Sequence, residues 1–166
     1  MRRISRRVVL FLSLVSTVGA AQFPGFEAET LTGRKVTVPT PGASSPVLLI
    51  IGFTHASNEQ TGYWAKKIPK DLVSVYSVAT LGGAPKLMRR MIVRSMKGGV
   101  PAGQQDNFLV TYAKDDPLKQ AVGFKEPNDA YLALLGPDGS IVWTFHGAFT
   151  HTALKELSDR VHGMRQ

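Results

Sequence analysis

Four histidines are the side chains of this sequence best suited to acid–base or metal chemistry. They are His55, His146, His151 and His162. With nearby carboxylates, His55 and His146 could form a metal site or a cysteine-independent catalytic centre. However, His146 and His151 are five residues apart, a spacing that matches neither the i, i+4 pairs of a helix nor the alternation of a strand. We therefore expect exposed loop histidines without a metal, and keep an enzyme or metal carrier that uses His55 and His146 as the alternative.

A hydroxyl nucleophile is the second candidate, because Ser57 follows His55 in GFTHASN, residues 52–58. Serine hydrolases of the α/β class place the nucleophile in a Gly-x-Ser-x-Gly turn, which this segment lacks. Closeness in sequence is no evidence for a catalytic triad, since triad partners are brought together by the fold. We expect Ser57 or Asn58 to cap the N-terminus of a helix, with Glu59 and Gln60 in the first turn.

Cysteine is absent from all 166 residues of the chain. This excludes disulfides, thiolate metal ligands and every reaction that uses a thiolate nucleophile. An apolar fraction of 43% and a charged fraction of 19% are typical of a folded protein, and the length suits a single core. We expect one folded domain over residues 22–166, with no thiol chemistry and no cofactor.

Residues 1–21 have the pattern of an export signal. Four arginines precede an apolar stretch that begins at Val8, and the small residues around Ala20 and Ala21 fit a cleavage site. The apolar stretch is short for a bilayer-spanning helix, which needs about 20 apolar residues. We expect an exported protein, periplasmic or otherwise extracytoplasmic, with the signal cleaved near Ala20 or Ala21. A retained anchor is the alternative, and the sequence leaves open whether export uses the general or the twin-arginine route.

The positive charge of the chain is concentrated in this signal segment. Its four arginines account for half of the formal charge of +8, and no acidic residue precedes Glu27, so the rest of the chain carries +4. A mildly basic exported domain gives little support for nucleic-acid binding. We therefore expect no nucleic-acid partner.

The apolar patterns predict alternating strands and helices. Residues 47–53, VLLIIGF, form a continuous apolar run typical of a central strand that is buried on both faces. Other strands are predicted near residues 28–31, 35–38, 73–78 and 107–112, and helices near 58–68, 86–97, 116–122 and 152–164. The GPDG segment, residues 136–139, is a turn between two apolar runs and predicts an antiparallel hairpin. This order predicts an α/β sandwich that ends in a hairpin and a helix.

Three segments resemble the thioredoxin-like superfamily, over roughly residues 23–162. They are FPGFEAETLTGRKVTVP, PVLLIIGFTHASNEQ and AYLALLGPDGSIVW. The first is similar to the opening of the redoxin and peroxiredoxin branches. The second is similar to the central strand and the start of the active-site helix, and the third to the hairpin. The resemblance implies a three-layer α/β/α sandwich with a central mixed sheet.

Two segments are similar to the cysteine-lacking assembly factors of mitochondrial ATP synthase and their bacterial relatives. They are MIVRSMKGGVP, residues 91–101, and GFKEPNDAYLALL, residues 123–135. Those proteins also have a thiol-free first loop and a basic middle helix. The resemblance implies a non-catalytic, chaperone-like assembly factor that binds a protein client, such as a subunit of an envelope or membrane complex.

The positions that carry redox chemistry in thioredoxins hold other residues here. Counting from Phe53 places Asn58 and Thr61 where the two cysteines would lie, and counting back from Asp138 places Ala130 where a cis-proline would lie. Neither an amide nor a threonine hydroxyl can form a thiolate. Both halves of the redox site are therefore missing from the sequence.

Thioredoxin-like proteins bind extended client segments on the face of that site, so the resemblance implies a partner surface there even without thiols. We expect six residues to contribute to it: His55, Asn58, Tyr63, Trp64, Asn128 and Asp129. Aromatic side chains carry a large share of binding energy when they are exposed. For Tyr63 and Trp64, packing against the edge of the sheet is the more common role, and an exposed anchor for a partner is the alternative.

The predicted helix at residues 86–97 has an apolar and a basic face. The apolar face, which we expect to pack in the core, contains Leu87, Met88, Met91, Ile92 and Met96. The basic face contains Arg89, Arg90, Arg94 and Lys97, for which a solvated surface is the ordinary role. Peripheral contact of these four residues with an anionic membrane is a further expectation.

We predict that the purified protein has neither thiol–disulfide reductase nor peroxidase activity, because it contains no cysteine. Insulin reduction in the presence of dithiothreitol, and peroxide consumption, should stay at the rate of a buffer blank. Reproducible turnover above that blank would contradict the prediction.

Overall fold

The computed structural model describes residues 20–165. The predicted signal segment, residues 1–21, lies outside the described residues except for Ala20 and Ala21, so both it and the boundary at residue 22 stay predictions. Within residues 20–165, no helix combines the length and the apolar character that crossing a bilayer requires.

Strands and helices alternate through most of the chain. The strands are β1 (Phe26–Thr30), β2 (Lys35–Val38), β3 (Val47–Gly52), β4 (Ser74–Thr80), β5 (Phe108–Thr111), β6 (Tyr131–Leu135) and β7 (Ile141–His146). The α-helices are α1 (Asn58–Lys67), α2 (Lys86–Gly99), α3 (Asp116–Val122) and α4 (His151–Gly163), and short 3₁₀ helices span His55–Ser57 and Ala102–Asn107. The predicted elements are all present, with ends that shift by at most two residues.

A single seven-stranded sheet has the order β2-β1-β5-β4-β3-β6-β7. Strands β3, β4 and β5 are parallel, whereas β1, β2, β6 and β7 add antiparallel edges. Helix α3 packs on one face of the sheet, and α1 and α4 pack on the other. The predicted three-layer α/β/α sandwich with a central mixed sheet is confirmed.

Strand β3 is buried on both faces, as its unbroken apolar sequence predicted. Leu49 and Ile51 face the cluster that contains Leu118 and Val122 of α3. The alternate residues Leu48 and Ile50 face the cluster that contains residues of α1 and α4. All four β3 side chains are fully buried. Because helices cover both faces, neither face of this strand requires polar residues.

The turn between β6 and β7 accounts for the strongest turn signal in the sequence. Gly139 has a φ of +79°, a left-handed conformation that glycine adopts without strain. Asp138 Oδ1 accepts hydrogen bonds from the Ser140 backbone N–H and hydroxyl, at 3.0 and 2.6 Å. These hydrogen bonds hold the pKa of Asp138 below its ordinary value. The turn thus has strong local determinants, and the Phe23 N–H adds a distant one by donating to the Gly139 carbonyl oxygen at 3.0 Å.

Helix α2 packs through a narrow face. Ile92, Val93 and Met96 lie against a small cluster of buried side chains from β5 and the ends of β1 and β4. The prediction that Leu87, Met88 and Met91 belong to the core is wrong, since these side chains are 96%, 46% and 61% exposed. At 100° per residue, Leu87 lies half a turn away from Met96, so the packing of Met96 turns Leu87 outward.

Arg89 also departs from the predicted solvated face. Its Nε and Nη2 donate to the carbonyl oxygens of Ala84 and Gly82, at 3.0 and 3.2 Å. Its guanidinium carbon lies 5.1 Å from the centre of the Tyr112 ring. Arg89 thus ties the start of α2 to the preceding loop, whereas Arg90, Arg94 and Lys97 are exposed as expected.

We predict that Phe53→Ala lowers the free energy of unfolding by about 3–5 kcal/mol, the usual cost of truncating a buried phenylalanine. Phe53 follows β3, is 9% exposed, and packs edge-on against Phe124 and Tyr131. Denaturant melts read by circular dichroism measure this change. The control is Leu87→Ala, at 96% exposure, which should change stability by less than about 0.5 kcal/mol. Equal melts for the two variants would contradict the assignment of Phe53 to the core.

Candidate functional site

The candidate site begins where β3 ends. The chain leaves Gly52 and Phe53, forms the 3₁₀ turn His55–Ser57, and enters α1 at Asn58. The side chains of His55 and Asn58 are exposed, whereas Ser57 is fully buried. The polar segment singled out in the sequence therefore divides into two exposed side chains and one buried hydroxyl.

Ser57 occupies the N-cap position of α1, as expected, but its side chain does not make the cap hydrogen bond. Its Oγ donates to the Thr54 carbonyl oxygen at 2.8 Å, and no side-chain cap bond forms at this helix start. The physical reason is that the 3₁₀ turn already gives Ser57 a helical backbone, with φ −76° and ψ −7°. A buried hydroxyl that is bound to a carbonyl is also poorly placed to act as a nucleophile.

Gly52 allows this turn to approach the end of the strand. A Cβ atom at position 52 would lie 2.8 Å from Ser57 Oγ and 3.4 Å from Thr61 Cγ2. The first distance is too short for a carbon beside an oxygen, so any larger residue at 52 must push the turn away. The sequence did not show this requirement, because the contact depends on how the turn folds back.

The two positions of the missing cysteines lie at the start of α1. Asn58 is exposed, and Thr61 Oγ1 donates to the Asn58 carbonyl oxygen at 3.2 Å. The two side chains thus occupy the first turn of the helix, as a cysteine pair would. Their chemistry is limited to hydrogen bonding.

The loop at residues 125–130 lies alongside this turn. Thr54 Oγ1 donates to the Pro127 carbonyl oxygen at 2.7 Å, and Gln60 Oε1 accepts from the Ala130 N–H at 3.0 Å. The Ala130 carbonyl oxygen accepts from the Gly147 N–H at 2.9 Å. Both backbone polar groups of Ala130 are therefore used within the protein and are not free to pair with a client strand.

The buried Tyr131 side chain holds the loop at residues 125–130 in place. Its hydroxyl accepts from the Lys125 and Glu126 N–H groups and donates to the Glu126 carbonyl oxygen, each at 2.9 Å. Sequence reasoning missed Thr54, Gln60 and Tyr131 as the residues that hold the site together. The available signal was a polar residue close to a predicted site residue. That signal does not reveal the contact, because the partners of Thr54 and Gln60 lie about 70 residues away in sequence.

Where a thioredoxin has its cis-proline, this chain has Ala130, and the peptide bond before it is trans. The cis peptide bond found among residues 20–165 is Val38–Pro39, which lies in the loop after β2. The prediction that a cis-proline is missing from the site is confirmed.

Asp129 and His146 form a hydrogen-bonded pair beside the loop. Asp129 Oδ2 lies 2.8 Å from His146 Nδ1, and the two side chains are 19% and 38% exposed. The imidazole also stacks on Tyr131, with ring centres 5.6 Å apart. His146 is therefore already paired with Asp129. A site that combined His146 with His55 would need a different carboxylate.

The metal-binding alternative gains no support from these contacts. Among residues 20–165, no group of three or more histidine, aspartate and glutamate side chains is arranged to hold a metal ion. His151 packs edge-on against Phe149, and His162 lies near the end of α4, where Ser158 Oγ is 3.3 Å from its Nδ1. His151 and His162 both line a cleft along α4, whereas His55 and His146 lie elsewhere.

Trp64 is a correction to the predicted partner surface. The side chain is fully buried, and its Nε1–H donates to the Gly147 carbonyl oxygen at 3.0 Å. It packs edge-on against Phe145 and Phe149, with ring centres 5.5 and 4.9 Å away. A residue with no exposed surface cannot bind a client directly, so the packing role applies and Trp64 stabilises the fold.

Tyr63, next to it, is 48% exposed. Its ring packs edge-on against Phe149 at 5.5 Å, and Lys67 Nζ lies 5.2 Å from the ring centre. Asn128 is exposed on the loop that Thr54 and Gln60 hold. Four of the predicted residues are therefore accessible to a partner: His55, Asn58, Tyr63 and Asn128. Asp129 is partly accessible.

A cleft of about 310 Å³ opens beside the turn. It is lined by His55 and Asn58 on one side and by Ile92 and Met96 of α2 on the other. Tyr63, Trp64, Asn128 and Asp129 do not line it. The predicted surface thus consists of two cleft residues and a separate set on neighbouring elements. A wider cleft of about 430 Å³ runs along α4 and contains none of the six.

Two buried polar atoms in residues that line the cleft lack a hydrogen-bond partner among residues 20–165. They are Thr80 Oγ1 and Asp115 Oδ1. Buried oxygens of this kind are nearly always paired, because leaving one unpaired costs about 1–3 kcal/mol. Water or a bound group that donates hydrogen bonds would satisfy both of them.

The chain has a thioredoxin-like α/β fold, as its likeness to solved structures shows. No protein-family model matches the sequence, and no curated protein matches it either. Solved structures do match. The exposed lipoprotein thioredoxin of Streptococcus pneumoniae strain TIGR4 is 20% identical with a TM-score of 0.52, over 80% of this chain and 99% of that one.

Two further matches have the same fold. A thio-disulfide isomerase from Thermus thermophilus is 18% identical with a TM-score of 0.54, over 86% of this chain and 95% of its own. A peroxiredoxin-like protein from Aquifex aeolicus is 10% identical with a TM-score of 0.54, over 85% and 86%. At such low identity these likenesses establish the fold and do not carry over an activity.

We predict that Gly52→Ala destabilises the protein by about 1–3 kcal/mol, the usual cost of overpacking, because the added methyl group meets Ser57 Oγ at 2.8 Å. Ser57→Ala removes that oxygen, so Gly52→Ala should cost less in the Ser57→Ala background. A double-mutant cycle of denaturant melts measures this coupling. The matched control is Gly62→Ala in α1, where a Cβ meets no atom within 4 Å. Additive effects of the two substitutions would contradict the close approach.

Proposed function

We propose that this chain is an exported, non-catalytic thioredoxin-fold protein that binds a client protein and assists assembly of an envelope or membrane complex. The observation that carries the proposal is a formed cleft at the place of the redox site, with Asn58 and Thr61 at the cysteine positions. The elements that form the cleft are present, whereas the cysteines are absent. A binding role uses the cleft and does not need the cysteines.

The surroundings of the site support a role without catalysis. An amide and a threonine hydroxyl stand where the thiols would be, and the nearby Ser57 hydroxyl is buried and bound to the Thr54 carbonyl oxygen. The Asp129–His146 pair resembles the base of a hydrolytic site, but within residues 20–165 no serine, threonine or tyrosine hydroxyl forms a hydrogen bond with His146. A base without a nucleophile to activate is better explained as a structural contact.

The sequence resemblance to the cysteine-lacking ATP synthase assembly factors supports the assembly role, through residues 91–101 and 123–135. The second of these segments contains the loop that Thr54 and Gln60 hold beside the cleft. Export is supported by the signal-like pattern of residues 1–21, and one fold neighbour is described as an exposed lipoprotein.

The chemistry of the cleft indicates what part of a client would enter it. A volume of about 310 Å³ is at the small end of ligand pockets, so one or two side chains of an extended segment fit and a large cofactor does not. The apolar wall is formed by Phe53, Ile92 and Met96.

The absence of native cysteine allows a direct test. A single cysteine at position 55 or 58 can carry a photoactivatable crosslinker, with position 107 or 156 as an exposed control that lines neither cleft. Crosslinking is done in the native envelope, and the captured protein is identified by mass spectrometry. The proposal expects one dominant client from the cleft positions, and equal capture from the control positions would overturn it.

We predict that His55→Ala and Asn58→Ala each weaken binding of that client by about 1–2 kcal/mol, because both side chains line the cleft and are exposed. Calorimetry with the purified client measures the affinity, and thermal melts should be unchanged. The matched controls are His162→Ala and Asn107→Ala, an exposed histidine and asparagine away from the cleft. Losses of the same size in the controls, or normal binding by both cleft variants, would contradict the assignment.

Trp64→Ala serves as a second type of control. Because Trp64 is fully buried, its loss should lower the melting temperature, and any loss of client binding would then follow from unfolding. This separates a failure of the fold from a failure of the binding surface.

A further inference from the structure

Helix α2 presents an apolar ridge to solvent. The ridge consists of Leu87, Met88 and Met91, which are 96%, 46% and 61% exposed. Leu87 and Met91 are one turn apart and therefore lie on the same side of the helix. Scattered apolar residues on a surface are ordinary, but three large ones within five positions of one helix form a patch.

The core does not use this ridge. Helix α2 packs through Ile92, Val93 and Met96, and none of its residues is fully buried. Leu87 is half a turn from Met96 on a regular helix, so the ridge is on the side farthest from the sheet. Its side chains stabilise neither α2 nor the sheet by burial in the described structure.

Cations flank the ridge along the whole helix. Lys86, Arg90, Arg94 and Lys97 are exposed, and residues 86–99 contain no acidic side chain. On a regular helix, these four residues occupy the sector next to Leu87 on one side, while Met88 lies on the other. The fifth cation, Arg89, is held by the carbonyl oxygens of Gly82 and Ala84 and does not contribute to this sector.

We propose that α2 docks on an anionic lipid surface, with Leu87, Met88 and Met91 entering the head-group region and Lys86, Arg90, Arg94 and Lys97 contacting lipid phosphates. The charges are complementary, and an apolar ridge beside a basic sector is the pattern of helices that lie in the plane of a bilayer interface. The helix is about 20 Å long, which is too short to cross a bilayer but long enough to lie on one.

A lipid surface fits this feature better than an acidic protein segment does. The ridge is convex and formed by flexible side chains of a single helix, whereas a peptide that binds by its apolar face needs a groove. The cleft beside α2 is lined by Ile92 and Met96, on the opposite side from the ridge. The two surfaces are therefore separate, and this proposal does not depend on client binding in the cleft.

The test places single spin-labelled cysteines in the full, otherwise cysteine-free chain. Met91→Cys reports on the ridge, and Glu156→Cys on exposed α4 is the control. Each protein is mixed with vesicles of phosphatidylglycerol and phosphatidylcholine, or of phosphatidylcholine alone. For each label, the collision rate with oxygen, which concentrates in lipid, is compared with the collision rate with an aqueous nickel complex. This comparison measures the depth of the label, and it is therefore independent of any vesicle binding by residues 1–21.

We expect the label at position 91 to become accessible to oxygen and shielded from nickel with the anionic vesicles, while the label at position 156 stays aqueous. Replacing Arg90 and Arg94 together by Gln should shift the docking equilibrium of the label at 91 by roughly 30-fold at low salt, since each surface cation contributes about a five-fold effect. High salt should reverse the docking. These variants change exposed residues, and their circular dichroism melts should match the parent.

A label at position 91 that stays aqueous in the presence of anionic vesicles would overturn the proposal, even if the protein sediments with them. Equal insertion into vesicles of phosphatidylcholine alone would also overturn it, because the cations would then have no role. A signal that changes with protein concentration in the absence of vesicles would assign the ridge to a second copy of this chain.

Discussion

Strand β3 is the element on which both helical layers depend. Its side chains alternate between the cluster that contains α3 and the cluster that contains α1 and α4, and every one from Leu48 to Ile51 is fully buried. The strand also pairs in parallel with β4 and antiparallel with β6. Because the same strand ends at Gly52, the position of the candidate site is set by the most deeply buried part of the protein.

The site itself is held by a small number of hydrogen bonds between distant segments. Thr54 and Gln60 bind the loop that contains Pro127 and Ala130, and Trp64 binds the carbonyl oxygen of Gly147. None of these interactions requires a thiol. The turn, the loop and the start of α1 are therefore held together without any cysteine.

Helix α2 has a different physical character from α1 and α4. Those helices place side chains in the main core, with Trp64 in α1 and Leu157 and Val161 in α4 fully buried, whereas α2 has no fully buried residue and leaves its largest apolar side chains in solvent. Exposing that apolar surface gains nothing for folding, since burial is what makes apolar side chains stabilising. Docking on lipid, as proposed, would remove these apolar side chains from water.

The sequence by itself determined the element order, the central strand and the β6–β7 turn, and it excluded thiol chemistry. These features depend on local patterns: VLLIIG has no polar position, the turn needs a glycine at position 139, and a thiol requires a cysteine. Only the tertiary structure decided the rest. Helical periodicity identifies a face but not its rotation, so the packing of Ile92 and Met96 turned Leu87 outward. Trp64 is buried because Phe145, Phe149 and the Gly147 carbonyl oxygen, about 80 residues further along the chain, surround it. Contacts between residues so far apart in sequence produce no local pattern, so they cannot be predicted from the sequence alone.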